Sequence, residues 1–187
     1  MKNIIYLLLI ALTMGACSYQ NQPIALQSYK ANYNAPLSVE KKAIFIQDVI
    51  DDRVNKSYIG YALKDGKKRL TFFSNDNFEK KYKDALLYAL NISEFNTNVN
   101  KSDASEIITV HIKDITLVHT DKNFDENLKG KIAVELIVQQ GNSITTYNFT
   151  QKAGKWIAPS FNSKDLEPFL TTLFSDSIDA VVAKLAH

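Results

Sequence analysis

The run Ile107-Ile108-Thr109-Val110-His111-Ile112-Lys113-Asp114-Ile115-Thr116-Leu117-Val118-His119 decides the fold. Ile108, Val110 and Ile112 alternate with their neighbours at the period of two that sets one face of a strand on a core. The alternation then slips by one residue and continues in the opposite phase as Ile115, Leu117 and His119. A slip of one residue inside a continuous β-prone run predicts a β-bulge near Lys113-Asp114.

Working outward to the C-terminus, a polar loop from Asp121 to Leu128 leads into Ile132, Val134, Leu136 and Val138, which alternate without a break. Gln140-Gly141-Asn142-Ser143 turns the chain into Ile144 to Thr150, with Thr145, Tyr147 and Phe149 on one face. The three runs read as an antiparallel meander. The last element is helical: Leu166, Leu170, Leu173, Phe174, Ile178, Val181, Val182 and Leu185 repeat at i, i+3, i+4 and i+7. Pro168 fits a first turn, so the helix is expected to start at Glu167 or Pro168.

Working outward to the N-terminus, Phe78, Tyr82, Ala85, Leu86, Ala89 and Leu90 form the apolar stripe of another helix. Asp76 and Glu79 are placed as its capping box, and the helix should stop near Asn91. Before it, Tyr58–Leu63 and Arg69–Phe73 flank Lys64-Asp65-Gly66-Lys67. An Asp-Gly pair between β-prone runs signals a tight hairpin, because glycine accepts the positive φ the turn needs. Ala43–Val49 is a mostly apolar run without clean alternation, the pattern of a central strand buried on both faces. Residues 18–38 carry Gln, Asn, Ser, Pro23 and Pro36 and read as a tether, within which Ile24-Ala25-Leu26 has the make-up of a short edge strand.

The first seventeen residues say where the protein resides. Lys2 gives a positive start, Ile4–Leu12 an apolar stretch too short to span a bilayer, and Gly15-Ala16 the small residues of a cleavage site before Cys17. The small-small-Cys ending looks like the lipobox of bacterial lipoproteins, with Met14 where Leu is commoner. The chain therefore divides into a signal peptide, 1–16, an acylated cysteine and tether, 17–38, and one domain, 39–187. Ser18, rather than Asp, follows the cysteine. By the sorting rule of enteric bacteria that favours the outer membrane, facing the periplasm, with the inner membrane left open.

Composition narrows the function classes. Twenty-two Lys and Arg against 20 Asp and Glu give a net charge of +2, which offers no field to gather nucleic acid. Cys17 is the only cysteine, so no disulfide stabilises the fold, and ten Phe and nine Tyr must supply much of its core.

Candidate chemistry is sparse. His111 and His119 are about 26 Å apart at about 3.3 Å per residue, too far to share a metal, and the bulge places them on different faces. Both read as surface or rim residues. Asp48, Asp51, Asp52 and Arg53 cluster at a strand end, where an ordinary solvated turn with a local Asp–Arg pair is the commoner arrangement. No nucleophile elbow, zinc helix, calcium loop or phosphate loop is present. Neither catalysis, metal nor cofactor is expected. Tyr58, Tyr61, Phe72 and Phe73 on the hairpin, and Trp156 in the loop before the last helix, are candidate partner contacts. Sealing the core is the competing use of the same side chains.

With its elements in order, the chain resembles the YajG-like family of small bacterial lipoproteins. The resemblance lies in the lipobox at Cys17, the first strand leading through Asp51-Asp52-Arg53 into Ile59-Gly60, and the helix from Asp76. It continues through the strand Ile107–Leu117, the hairpin Lys131–Phe149 and the helix ending at Leu185. It implies an α+β domain in which two helices pack on one face of an antiparallel sheet, and it carries no catalytic residues. The expected role is a non-enzymatic lipoprotein, held to the membrane through Cys17, that serves as accessory or assembly module for an envelope protein. The alternative is a carrier of a lipid or hydrophobic small molecule, held between the sheet and the last helix.

Overall fold

In the computed structural model, residues 23–29, 41–121 and 126–187 are described; Cys17, the signal peptide and much of the expected tether lie outside them. The long run that opened the reading is strand β4, and its bulge is present. Its pairing with the following strand slips between Ile112 and Asp114. The slip turns Ile108, Val110, Ile112, Ile115 and Leu117 all to the core, at 0–2 % exposure.

The order along the chain is β1 (Ile44–Asp51), β2 (Tyr58–Lys64), β3 (Lys67–Phe73), α1 (Phe78–Ile92), β4 (Glu106–His119), β5 (Leu128–Gln140), β6 (Ser143–Lys155) and α2 (Ser163–Leu185). The fold is α+β. Its sheet runs β3-β2-β4-β5-β6, and β1 joins beside β4. The pairs β2–β3, β4–β5 and β5–β6 are antiparallel, as the meander and the Asp65-Gly66 hairpin require. Both β1 and β2 run parallel to β4, so the sheet is mostly antiparallel but mixed.

The parallel pairings overturn one expectation. β1 is not a central strand: it pairs with the first half of β4 only, and a single bridge at Ala43 touches Asn96. Its register breaks between Ile46 and Asp48, leaving Gln47 and Asp48 exposed. β1 and β2 then share one side of β4 end to end, opposite Glu106–Ile112 and Leu117–His119. The bend between them is held by Asp51 and Arg53, whose two-pronged ion pair has N–O distances of 2.8 and 2.7 Å. The guanidinium also donates to the carbonyls of Lys56 and Tyr58. The expected Asp–Arg pair exists, but it is buried rather than solvated, with side chains 2 and 6 % exposed. Gly60 completes the bend at φ +141°, where a Cβ would stand 1.9 Å from the Leu117 carbonyl oxygen.

Both helices lie over one face of the sheet and touch each other through Tyr82 and Phe174, edge-on at 5.2 Å between ring centroids. Gly130 lets α2 approach β5 closely, since an added Cβ would fall 2.2 Å from the Leu173 side chain. Caps differ from the expected ones. Asn77, not Asp76, caps α1 by accepting from the Lys80 amide. Asp76 and Glu79 are used elsewhere: Asp76 accepts from the Leu26 amide, and Glu79 from the Asp51 amide. α2 starts at Ser163, before the expected Glu167 or Pro168, because Asn162 and Asp165 form a reciprocal capping box. That box satisfies the first-turn amides and fixes the start upstream of the proline.

Within the expected tether, residues 23–29 are seated on the domain. Ile24 and Leu26 are 0 and 3 % exposed, and the Ile24 amide donates to the Phe73 carbonyl at 2.8 Å. The segment runs in the groove between the helices. Its Ala25 and Gln27 amides donate to Glu167 and Thr171, and the Tyr29 hydroxyl to Asp179. Ile24-Ala25-Leu26 forms no strand. Its backbone is read by helix side chains.

Candidate functional site

β6 is an outermost strand of the sheet. It pairs with β5 at every step from Leu128↔Lys155 to Gln140↔Ser143 without a register break, and no described strand pairs with its other side. An edge of 13 residues without bulge or proline presents a regular row of backbone donors and acceptors. Its side chains at Ile144, Thr145, Thr146, Asn148 and Thr150 are exposed, Ile144 to 68 %. Tyr147 and Phe149 are half-buried, and the Lys184 ammonium lies over the Tyr147 ring at 4.5 Å.

The sheet face away from the helices carries charge ladders. Asp52 accepts from Lys113 at 2.8 Å and meets His111 Nδ1 at 3.0 Å; Lys113 also reaches Glu135. The hydrogen bond from Lys113, with lesser help from His111, holds the Asp52 carboxyl below its usual range. Lys131 pairs with Asp114 beside the bulge. Thus Asp51 turns inward and Asp52 outward, and the acidic cluster of the sequence is split between two jobs.

The structure does not gather the candidate contact residues into one patch. Phe72 is a core residue, 1 % exposed and edge-on to Phe161, because it sits on the inward face of β3. Tyr58 and Tyr61 are half-buried on the outer face, where the Lys68 ammonium lies over both rings at 4.9 and 5.4 Å. Phe73 is half-buried as well. Trp156 is 52 % exposed, just past the end of β6. The loop that carries it is pinned by Asn127, whose buried amide donates to the Ile157 carbonyl and accepts from the Ile157 amide, each at 2.8 Å.

The bulge separates the two histidines as expected, but His119 is not a rim residue. It is 6 % exposed, packs at a tilt against Phe161 at 4.4 Å between ring centroids, and leaves Nε2 buried without a partner among the described residues. Burial holds its pKa below the usual value, against an opposing pull from Asp121. It borders a cleft of about 240 Å³ with Leu70, Asn127 and Phe161. A cleft of about 440 Å³ lies between the 23–29 segment and α1, lined by Leu26, Tyr29, Tyr88 and Phe174. The interface between α2 and the sheet is filled: Leu166, Leu170, Leu173, Phe174, Ile178, Val181 and Val182 are at most 2 % exposed.

Among the described residues no group of three or more His, Cys, Asp or Glu is placed to hold a metal ion. No described helix is long and apolar enough to cross a membrane.

A scan of the sequence against protein-family models finds none that matches, and a search of the curated proteins finds no relative. Among solved structures, the fold is similar to that of a Xanthomonas campestris protein of the family DUF330. The TM-score is 0.53 at 9 % identity, over 88 % of this chain and 90 % of that one. A Chlamydia trachomatis protein gives 0.45 at 13 % identity, over 78 % of this chain and 97 % of that one. An uncharacterized protein gives 0.46 at 9 % identity, over 87 % and 97 %. The first likeness shows a shared fold; the other two are too distant to add to it.

Proposed function

We propose that this protein is a YajG-like, lipid-anchored envelope lipoprotein. Its α+β domain serves as a non-enzymatic accessory or assembly module facing the periplasm from the outer membrane. The lipobox ending at Cys17 supports the anchor. The 13-residue edge of β6, with which no described strand pairs on its outer side, is the observation that carries the accessory role. An extended segment of another envelope protein adds to such an edge by main-chain hydrogen bonds, which give affinity with little demand on its sequence. The filled interface between α2 and the sheet speaks against the carrier alternative, which needs a cavity there.

Photo-crosslinkers placed one at a time at Thr146, Asn148 and Thr150 test this reading, with Tyr88 and Asp84 on α1 as controls. The expected result is one envelope-protein adduct from the β6 positions, absent from the α1 positions and weakened in Cys17→Ser. Adducts of equal strength from both faces, or none from β6, would remove the edge from the account.

A further inference from the structure

The seated segment at residues 23–29 limits how far the domain can stand from an anchor at Cys17. Its contacts follow α2 in order, from Glu167 through Thr171 to Asp179. The far end of α2 lies beside the start of β4, since Lys42 donates to the Leu185 carbonyl and pairs with Glu106. The segment therefore runs from the His119 side of the domain toward the Glu106 side. Ile24 enters beside Phe73 at the base of the β2–β3 hairpin, about 20 Å from its tip at about 3.3 Å per residue. Without the seat, the chain from Cys17 to residue 39 reaches about 75 Å; with it, the stretch from Cys17 to Ile24 reaches about 25 Å at most. The anchor, if present, holds the domain near the bilayer.

The His119 end is chemically distinct. The β2–β3 hairpin tip carries Lys64, Lys67, Lys68 and Arg69, all exposed, and is tied to the end of β4 by the Asp65 amide donating to Asp121. In register with the same end stand exposed Lys129 and Lys155, followed by half-exposed Trp156. Asp65, Asp121 and Glu126 oppose them, so the described residues there keep an excess of positive charge. Lysine clusters with an amphipathic indole suit an anionic headgroup layer, where basic residues are attracted to the headgroups and the indole sits at the water boundary.

We propose that this end, the hairpin tip together with the Trp156 loop, is a docking surface for an anionic lipid bilayer. It seats the domain upright and leaves the β6 edge accessible from the side. The orientation rests on the lipid-anchor reading; the lipid affinity of the surface does not.

The test uses the mature chain from residue 17 carrying Cys17→Ser, so that binding owes nothing to acylation, and acylation of the unaltered protein is scored separately by mass. Trp156 is the only tryptophan and reports its own environment. With vesicles of phosphatidylcholine containing one third phosphatidylglycerol, its emission should shift to the blue and the protein should cosediment. Neither should occur with phosphatidylcholine alone, and both should fade as salt shortens the reach of the charges. Lys64→Glu with Lys67→Glu should weaken cosedimentation about tenfold or more. Lys155→Glu should weaken it less. Lys101→Glu, at the other end, should leave it unchanged. Failure to bind anionic vesicles, or equal loss in Lys101→Glu, would overturn the docking surface whatever the fate of Cys17.

Discussion

His119 is the residue where burial and chemistry disagree most. Burial in the cleft beside Phe161 disfavours the charged imidazole, so its folded pKa lies below the ordinary 6.5 despite the opposing pull of Asp121. The unfolded chain then binds a proton more readily than the folded chain does. Stability should be fully present above about pH 6.5 and fall as pH drops from there toward the depressed folded value. Urea midpoints measured across this window should show the loss, and His119→Leu should flatten it. A wild-type midpoint that stays level from pH 7 to 5 would contradict the burial argument. His111, eight positions earlier in the same strand, lies across the bulge and pairs with Asp52, which shows how one inserted residue assigns two like side chains to different surroundings.

At the scale of elements, much was legible in the sequence wherever one local rule acted alone. The phase slip in β4, the Asp65-Gly66 hairpin, the β5–β6 meander and both amphipathic stripes follow from period and turn chemistry, and the structure contains each. Rules failed where a distant partner decided. Asp76 and Glu79 look like a capping box, but they hold the Leu26 and Asp51 amides, and Asn77 caps instead. Nothing local signals that Ile24 and Leu26 fill the groove between two helices that come more than fifty residues later. Nor does an apolar run such as Ile44-Phe45-Ile46 say whether one neighbour or two will flank it. Two truncations weigh these contacts. Phe174→Ala should cost about 3–5 kcal/mol by removing the ring that meets Tyr82, and Ile24→Ala about 2–4 kcal/mol. An unchanged denaturant midpoint for Ile24→Ala would return residues 23–29 to the role of a free tether.

For the whole molecule, helices cover one face of the sheet, no described strand pairs with the outer side of β6, and residues 23–29 enter beside the base of the β2–β3 hairpin. In the proposed account this domain stands on a membrane and offers its β6 flank to a neighbour. The candidate contact residues read from aromaticity alone were only partly informative: Phe72 serves the core, whereas the long edge depends on strand order, which no single strand encodes. The fold shared with a DUF330 protein settles architecture and leaves the role to experiment. The claim beneath the anchor, the location and the orientation of the domain is acylation at Cys17. The direct measurement is the intact mass of the protein purified from membranes of cells that express the full chain. The account predicts a chain that begins at residue 17 and carries the added mass of acyl groups, lost in Cys17→Ser. A chain with a free thiol at Cys17, or one cut at another position, would contradict it.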